Sequence, residues 1–300
     1  MEKMEKFAAF AKELGVNVLR ESMSLHTTFQ IGGVAFFAQV GDLAVLMKIM
    51  AYLQGHDIDY QIIGNGSNLL VSDSKMDKLF IKLVGNEDEV FLEDETLVRA
   101  PAGISLQKLC DFVLEHSLTG LEFAHGIPGT LGGAIYMNAS AYGKQMSDVL
   151  ESIFCLDDSG NPNKMEAGHA NLGYRHSVFM GKKYCITGAL LLLAKGNKTE
   201  IKKEMDFLWE KRQNSQPLDL PSAGSVFKRP KTGFAGALIE ECGLKGMKVG
   251  GAAVSEKHAG FIVNLGGASC DDVRELIKEI QDIVWQQRGV RLETEVEFVK

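Results

Sequence analysis

Apolar and polar positions along this chain follow two rhythms, and the switches between them outline its elements. Residues 1–14 interleave Glu and Lys with Phe and Ala at helical spacing. A strand-like run at 35–40 comes next. Asp42 can then accept from the amides of a first helical turn, and Leu43, Leu46, Met47 and Met50 carry one apolar face to about Gln54. Short apolar runs at 60–63, 69–71, 79–83, 90–92 and 96–100 predict strands, and 106–115 predicts an amphipathic helix closed by Gly120. Strands are expected again at 153–156, ahead of an Asp157-Asp158-Ser159-Gly160 turn, and at 184–193. Past Gly196-Asn197 the pattern changes to a charged helix at 198–214, then helices at 235–241 and 271–288 around a strand at 261–265. A closing strand is expected at 291–299. The expected fold class is α+β, with two domains joined near residue 196.

A length of 300 residues suits two cores better than one. Apolar residues at 45% and charged residues at 24% fit an ordinary globular enzyme. The net charge of -7 comes without clustered Lys and Arg, so no nucleic-acid partner is expected, and any phosphate must be held by a local site. Cys110, Cys155, Cys185, Cys242 and Cys270 are scattered with no CxxC pair, which argues against zinc or a disulfide framework and for a reducing compartment. No metal site is expected. Residues 1–14 lack the apolar core of a signal peptide, and no run reaches the roughly 20 apolar residues of a membrane span. A cytoplasmic protein without a membrane partner is the expectation.

Two glycine-rich segments carry the first chemistry. Gly64-Asn65-Gly66-Ser67-Asn68-Leu69 leads into β-rich Leu70-Val71, whereas a Rossmann turn should lead into a helix. The glycines still let backbone amides approach a phosphate, with Ser67 and Asn68 as added donors. By itself the pattern also fits a tight turn between strands. The second segment is Gly126-Ile127-Pro128-Gly129-Thr130-Leu131-Gly132-Gly133, ahead of a short helix. Its order predicts unpaired amides aimed at one point, a seat for a pyrophosphate. A helix entrance packed closely on a strand is the plainer alternative.

Together these segments resemble the FAD domain of the vanillyl-alcohol-oxidase-like flavoproteins. More narrowly, the chain resembles the UDP-N-acetylenolpyruvoylglucosamine reductase family, the second committed step toward muramic acid. The similarity continues through Leu172-Gly173-Tyr174-Arg175-His176-Ser177, Pro221-Ser222-Ala223-Gly224-Ser225-Val226-Phe227-Lys228, His258-Ala259-Gly260-Phe261 and Leu292-Glu293-Thr294-Glu295-Val296, in order from about Thr27 to the end.

The resemblance implies an FAD-binding region over 1–195, two-lobed and of the PCMH type from about 27. It implies a smaller α+β substrate-binding domain over 196–290, and a terminal strand, 291–300, returning toward the FAD region. The implied cofactor is non-covalent FAD at Gly64, Asn65, Gly66, Ser67, Asn68, Leu69, Gly126, Ile127, Pro128, Gly129, Thr130, Gly132 and Gly133. NADPH is the implied co-substrate and UDP-N-acetylenolpyruvoylglucosamine the small-molecule substrate. Ser225 is the implied proton donor and Arg175 the implied stabiliser of developing charge. Glu295 is the third member, with Glu293 two residues away as its competitor. Arg212, Lys228 and Arg229 are candidate substrate contacts, because Ser215 and Arg229 stand where the family often has Lys and Asn. The chain resembles the shorter members that lack an extra tyrosine-bearing loop. Two other readings remain open: an FAD oxidoreductase of the same fold acting on an alcohol or hydroxy acid, and a non-catalytic flavin-binding regulator.

Overall fold

Asp42 starts the first crossover. Its carboxylate accepts from the Val45 amide at 2.8 Å and caps the helix Leu43–Gly55. That helix buries Leu46, Ile49, Met50 and Leu53 and links the strand Val34–Val40 to Tyr60–Ile63. Both strands pair in parallel with Leu79–Leu83, the topology that a helical crossover requires. This computed structural model describes residues 2–157 and 159–300. Met1 of the expected first helix and Asp158 of the expected turn lie outside the described residues.

Val18–Ser22 adds to the edge of that sheet, giving the order Val18–Ser22, Val34–Val40, Leu79–Leu83, Tyr60–Ile63. A second sheet is antiparallel throughout, ordered Pro162–Glu166, Leu150–Leu156, Cys185–Leu192, Leu97–Pro101, Phe91–Asp94. The fold is therefore mixed helix and strand, as its sequence pattern predicts.

The chain forms two compact units. One holds the residues up to Leu19, Phe36–Asn65 and Asp77–Glu210; the other holds Arg20–Ala35, Gly66–Met76 and Lys211–Lys300. In the second unit an antiparallel sheet runs Ser222–Ser225, Phe261–Asn264, Ala252–Val254, Lys248–Val249. Its core gathers Phe29, Leu70, Val226, Ile239, Ile262, Val273, Leu276 and Ile280 from segments far apart in the sequence.

The closing strand differs from the expectation of 291–299. Only Glu297–Val299 is a strand, and it pairs in parallel with Leu69–Val71. Upstream, Glu295 donates its amide to Val226 O at 2.7 Å, and Glu293 O accepts from the Lys228 amide at 2.8 Å. The backbone there is spent on the segment after Ser225, so no regular ladder can form.

The helix Cys270–Arg288 is fixed at both ends. Ser269 and Asp272 form a capping box, and Gly289 closes it at φ 64°. Backbone amides of Ser269 (2.9 Å) and Gly251 (3.2 Å) hold the Asp272 carboxyl below its ordinary range, against a smaller opposing effect of burial. A depressed carboxyl stabilises the fold above its unfolded pKa, and that contribution is lost as pH falls through the folded value. Asp272 is largely solvated, so the effect is modest. Asp272→Asn is expected to lower the melting temperature at neutral pH and to leave a flatter acid limb below about pH 4. Parallel acid limbs for the two proteins would remove this assignment.

Candidate active site

In the first unit the two glycine-rich segments meet. A Cβ built on Gly64 would lie 2.3 Å from Thr130 Oγ1, so only glycine lets the first loop reach the second. Asn65 donates Nδ2 to Pro128 O at 3.3 Å. Thr130 caps the helix Leu131–Tyr136, its hydroxyl accepting from the Gly133 amide at 3.3 Å.

The expected fan of unpaired amides is only partly there. Ile127 donates to Ala124 O, Leu131 to Ile104 O and Gly132 to Ala102 O, because this segment docks on the chain entering the helix Leu106–Glu115. Gly126, Gly129 and Thr130 remain, their amides meeting no acceptor among the described residues, and Gly129 and Thr130 are buried. Orphaned buried amides are rare in folded proteins unless a ligand or water completes them. Two adjacent donors beside Asn65 suit a phosphate group, so these residues fit one end of a dinucleotide.

Arg175 also lies in the first unit, at the tip of a turn closed by Gly173–His176 backbone bonds. Its φ is 50°, a region that side chains rarely adopt. The half-buried guanidinium donates to Ser140 Oγ at 3.1 Å and lies 5.4 Å from the Tyr174 ring centre. Ser140, and the buried Asn138 beside it, are absent from the candidates named by sequence reasoning. Their one sequence signal was position, directly after the glycine-rich segment.

The second unit holds the remaining candidates. Ser222 pairs with Val263 and Ser225 with Phe261, so the Ser225 strand carries one extra residue. Gly224, at φ 75° with open space around it, absorbs this bulge, and the ladder resumes at Ser225. The Ser225 hydroxyl makes no hydrogen bond to protein among the described residues. Glu295 binds the next residue through its amide, and its carbonyl accepts from Asn68 Nδ2 at 3.1 Å. Ser225, Val226, Asn68 and Glu295 thus form one cluster. Gly66, at φ 61°, lets that loop pass His26 and Thr27, where a Cβ would lie 2.4 Å from His26 O. Ser67 is half-buried in the same loop, while Leu69 turns its side chain into the core.

Neighbouring loops support this cluster. The Gly260 amide donates to His258 Nδ1 at 3.1 Å, and Gly260 O accepts from the Val226 amide. Burial lowers the His258 pKa, consistent with a neutral ring that accepts at Nδ1 and holds the loop. The basic candidates separate. Lys228 sits 3.8 Å from the Glu293 carboxylate, Arg229 is exposed over Phe234, and Arg212 is 6% exposed with a bond to Gln216 Oε1. Among the described residues no His, Cys, Asp and Glu cluster could hold a metal ion, and no helix is long and apolar enough to cross a membrane.

Comparison with known proteins first sets the class. Residues 34–165 match the family model described as FAD binding domain, so the chain is a flavoprotein with an FAD-binding fold. Residues 216–299 match the C-terminal domain of UDP-N-acetylenolpyruvoylglucosamine reductase. The reductase of that name from Caldanaerobacter subterraneus subsp. tengcongensis is 44% identical over 297 residues, covering 99% of this chain and 97% of its own. The Thermotoga maritima reductase is 44% identical over 93% of this chain and 97% of its own. A crystal structure of the Thermus caldophilus reductase superposes with a TM-score of 0.82 at 34% identity, covering 95% of this chain and 100% of that one. The chain belongs to the UDP-N-acetylenolpyruvoylglucosamine reductase family.

Proposed function

We propose that this protein uses FAD and NADPH to reduce UDP-N-acetylenolpyruvoylglucosamine to UDP-N-acetylmuramate, in the cytoplasm, as a step of peptidoglycan precursor synthesis. The observation that carries the proposal is end-to-end similarity to reductases of that name at 44% identity. Gly64, Asn65, Gly126, Ile127, Pro128, Gly129, Thr130, Gly132 and Gly133 in one unit, and Gly66, Ser67, Asn68 and Leu69 in the other, are assigned to FAD. Held by these residues, FAD would supply the hydride chemistry that links NADPH to the substrate.

The substrate's vinyl ether is conjugated to a carboxylate. Hydride addition to the terminal alkene carbon breaks the C=C π bond and leaves negative charge on the neighbouring carbon and the carboxylate. Arg175 is assigned to grip that carboxylate, since a guanidinium stays protonated and presents two parallel donors. Ser225 is assigned to protonate the carbanion. A serine hydroxyl is a weak acid, but a carbanion is a base strong enough to take its proton, and solvent then restores the hydroxyl. Glu295 is assigned to the same charge, and the bond of its amide to Val226 O, next to Ser225, supports that assignment. Its backbone link to Asn68 ties the donor's surroundings to the Gly66–Leu69 loop. Arg212, Lys228 and Arg229 are assigned to the nucleotide half of the substrate; the exposure of Arg229 and the solvent-facing pairing of Lys228 suit a site that opens to admit it.

Purified protein mixed with NADPH and the enolpyruvyl sugar tests the reading. NADPH should be consumed beyond one equivalent per flavin only when the sugar is present, and the product should gain two hydrogens by mass. Oxidation of an alcohol or hydroxy acid in its place, or flavin binding with no turnover, would contradict the proposal.

A further inference from the structure

Among the described residues, seven non-glycine residues hold left-handed backbone. Four of them fall in two short segments: Asn138 (φ 41°) and Tyr142 (φ 53°), and Asn171 (φ 46°) and Arg175 (φ 50°). Such conformations cost energy and persist only where the surroundings over-determine them. Here the two segments hold each other.

Asn138 is the pin. It is 1% exposed, and its amide group is satisfied on both sides. Nδ2 donates to Gly173 O at 3.0 Å and to Gln145 Oε1 at 3.3 Å, while Oδ1 accepts from the Ser147 amide at 2.9 Å. Gly173 opens the turn whose tip carries Arg175, so Asn138 fastens the base of that turn. Ser177, just past the turn, donates its hydroxyl to Tyr136 O at 2.6 Å and fastens the other side.

Ser140 acts on the guanidinium itself. It begins a small hairpin in which Ser140 faces Gln145 and Ala141 faces Lys144. The tip is Tyr142-Gly143, both at positive φ, the two-residue turn that suits hairpin twist. Tyr142 secures that tip by donating its hydroxyl to Leu208 O at 3.2 Å. The hairpin therefore presents Ser140 Oγ at a fixed place, and Arg175 Nη1 donates to it at 3.1 Å. Bidentate recognition of a carboxylate depends on the plane of the guanidinium fork. A neutral hydroxyl can set that plane without cancelling the charge, which a carboxylate in its place would do.

We infer that Asn138 and Ser140 are positioning residues for Arg175: Asn138 fixes the turn and Ser140 orients the fork. The inference rests on the reading that Arg175 grips the substrate carboxylate. It confines the effect to one half of the reaction, because flavin reduction by NADPH does not involve that carboxylate.

Rapid mixing resolves the two halves in holoenzyme. Ser140→Ala is expected to slow reoxidation of the reduced flavin by the enolpyruvyl sugar about tenfold, with flavin content and the NADPH step unchanged. Asn138→Asp keeps the volume and the acceptor for Ser147 but loses both donor bonds, and should slow the same step by about ten- to a hundredfold. Added to Arg175→Ala, the Ser140→Ala change should cost nothing further, since it acts only through the missing group. Equal slowing of both half-reactions, or a full Ser140→Ala effect on top of Arg175→Ala, would overturn the inference and leave the role of Arg175 standing. A fully active Arg175→Ala would overturn both. Should Asn138→Asp fail to fold, the Ser140→Ala arm decides by itself.

Discussion

Replacing Ser225 by Ala is expected to slow turnover by about two to four orders of magnitude, the weight of a positioned proton donor, while NADPH still reduces the flavin at its normal rate. The asymmetry follows from where Ser225 sits. It follows a bulge at Gly224 and pairs with Phe261 through its backbone, and its hydroxyl is not consumed by the protein's own bonding among the described residues. Loss of the hydroxyl leaves the strand itself intact, because Ser225 pairs with Phe261 through its backbone and the packed Ala223, Val226 and Phe261 are untouched. Stability should therefore stay within about 0.5 kcal/mol of the parent, the range of substitutions that remove no buried contact. Stopped-flow traces of both half-reactions, with a thermal melt beside them, check the prediction. Normal turnover in the variant would remove Ser225 from the chemistry.

The second large effect is structural in origin. Gly66→Ala puts a Cβ 2.4 Å from His26 O and 2.9 Å from Thr27 Cα, both backbone atoms that cannot swing aside. It also forces a side chain onto φ 61°. The left-handed conformation costs about 1–2 kcal/mol and the overpacking about 1–3 kcal/mol, together a large share of a domain's stability. Gly66→Ala is expected to melt much earlier and to purify with little flavin. Gly267→Ala separates the two causes. Its φ is 71° with no atom within 4 Å of the built Cβ, so only the conformational cost applies, about 1–2 kcal/mol, and flavin should be retained. Equal losses in the two variants would mean that contact with His26 and Thr27 plays no part.

These positions also show what the sequence could and could not reveal. Asp42 announced its helix because capping is local: the acceptor and the Val45 amide lie three residues apart. Helices with an apolar stripe, such as Leu106–Glu115, were legible for the same reason. The strand Val18–Ser22 was not, since Val-Leu-Arg-Glu-Ser lacks the alternation of a half-buried strand. Ser222–Ser225 was hidden too, being four small residues interrupted by a left-handed glycine. The closing strand was overextended because Leu292, Thr294 and Val296 alternate correctly, yet the backbone of Glu293 and Glu295 between them is bonded to Lys228 and Val226.

The glycine-rich loops divided in the same way. That Gly64 needs glycine was foreseeable; that the reason is Thr130, sixty-odd residues later, is a tertiary fact. The expectation of a fan of free amides neglected competition from Ala102 and Ile104, which take two of them. Asn138 escaped notice because a buried asparagine has no periodic signature. Its importance appears only when its three bonds are seen to end at Gly173, Gln145 and Ser147.

An anaerobic titration of the purified protein, followed by its visible spectrum, tests the flavin-shuttle mechanism most directly. NADPH should bleach a bound flavin, and UDP-N-acetylenolpyruvoylglucosamine should restore the colour in proportion to the sugar added. A protein that stays colourless, or one that recovers its colour only when oxygen is admitted, would contradict it.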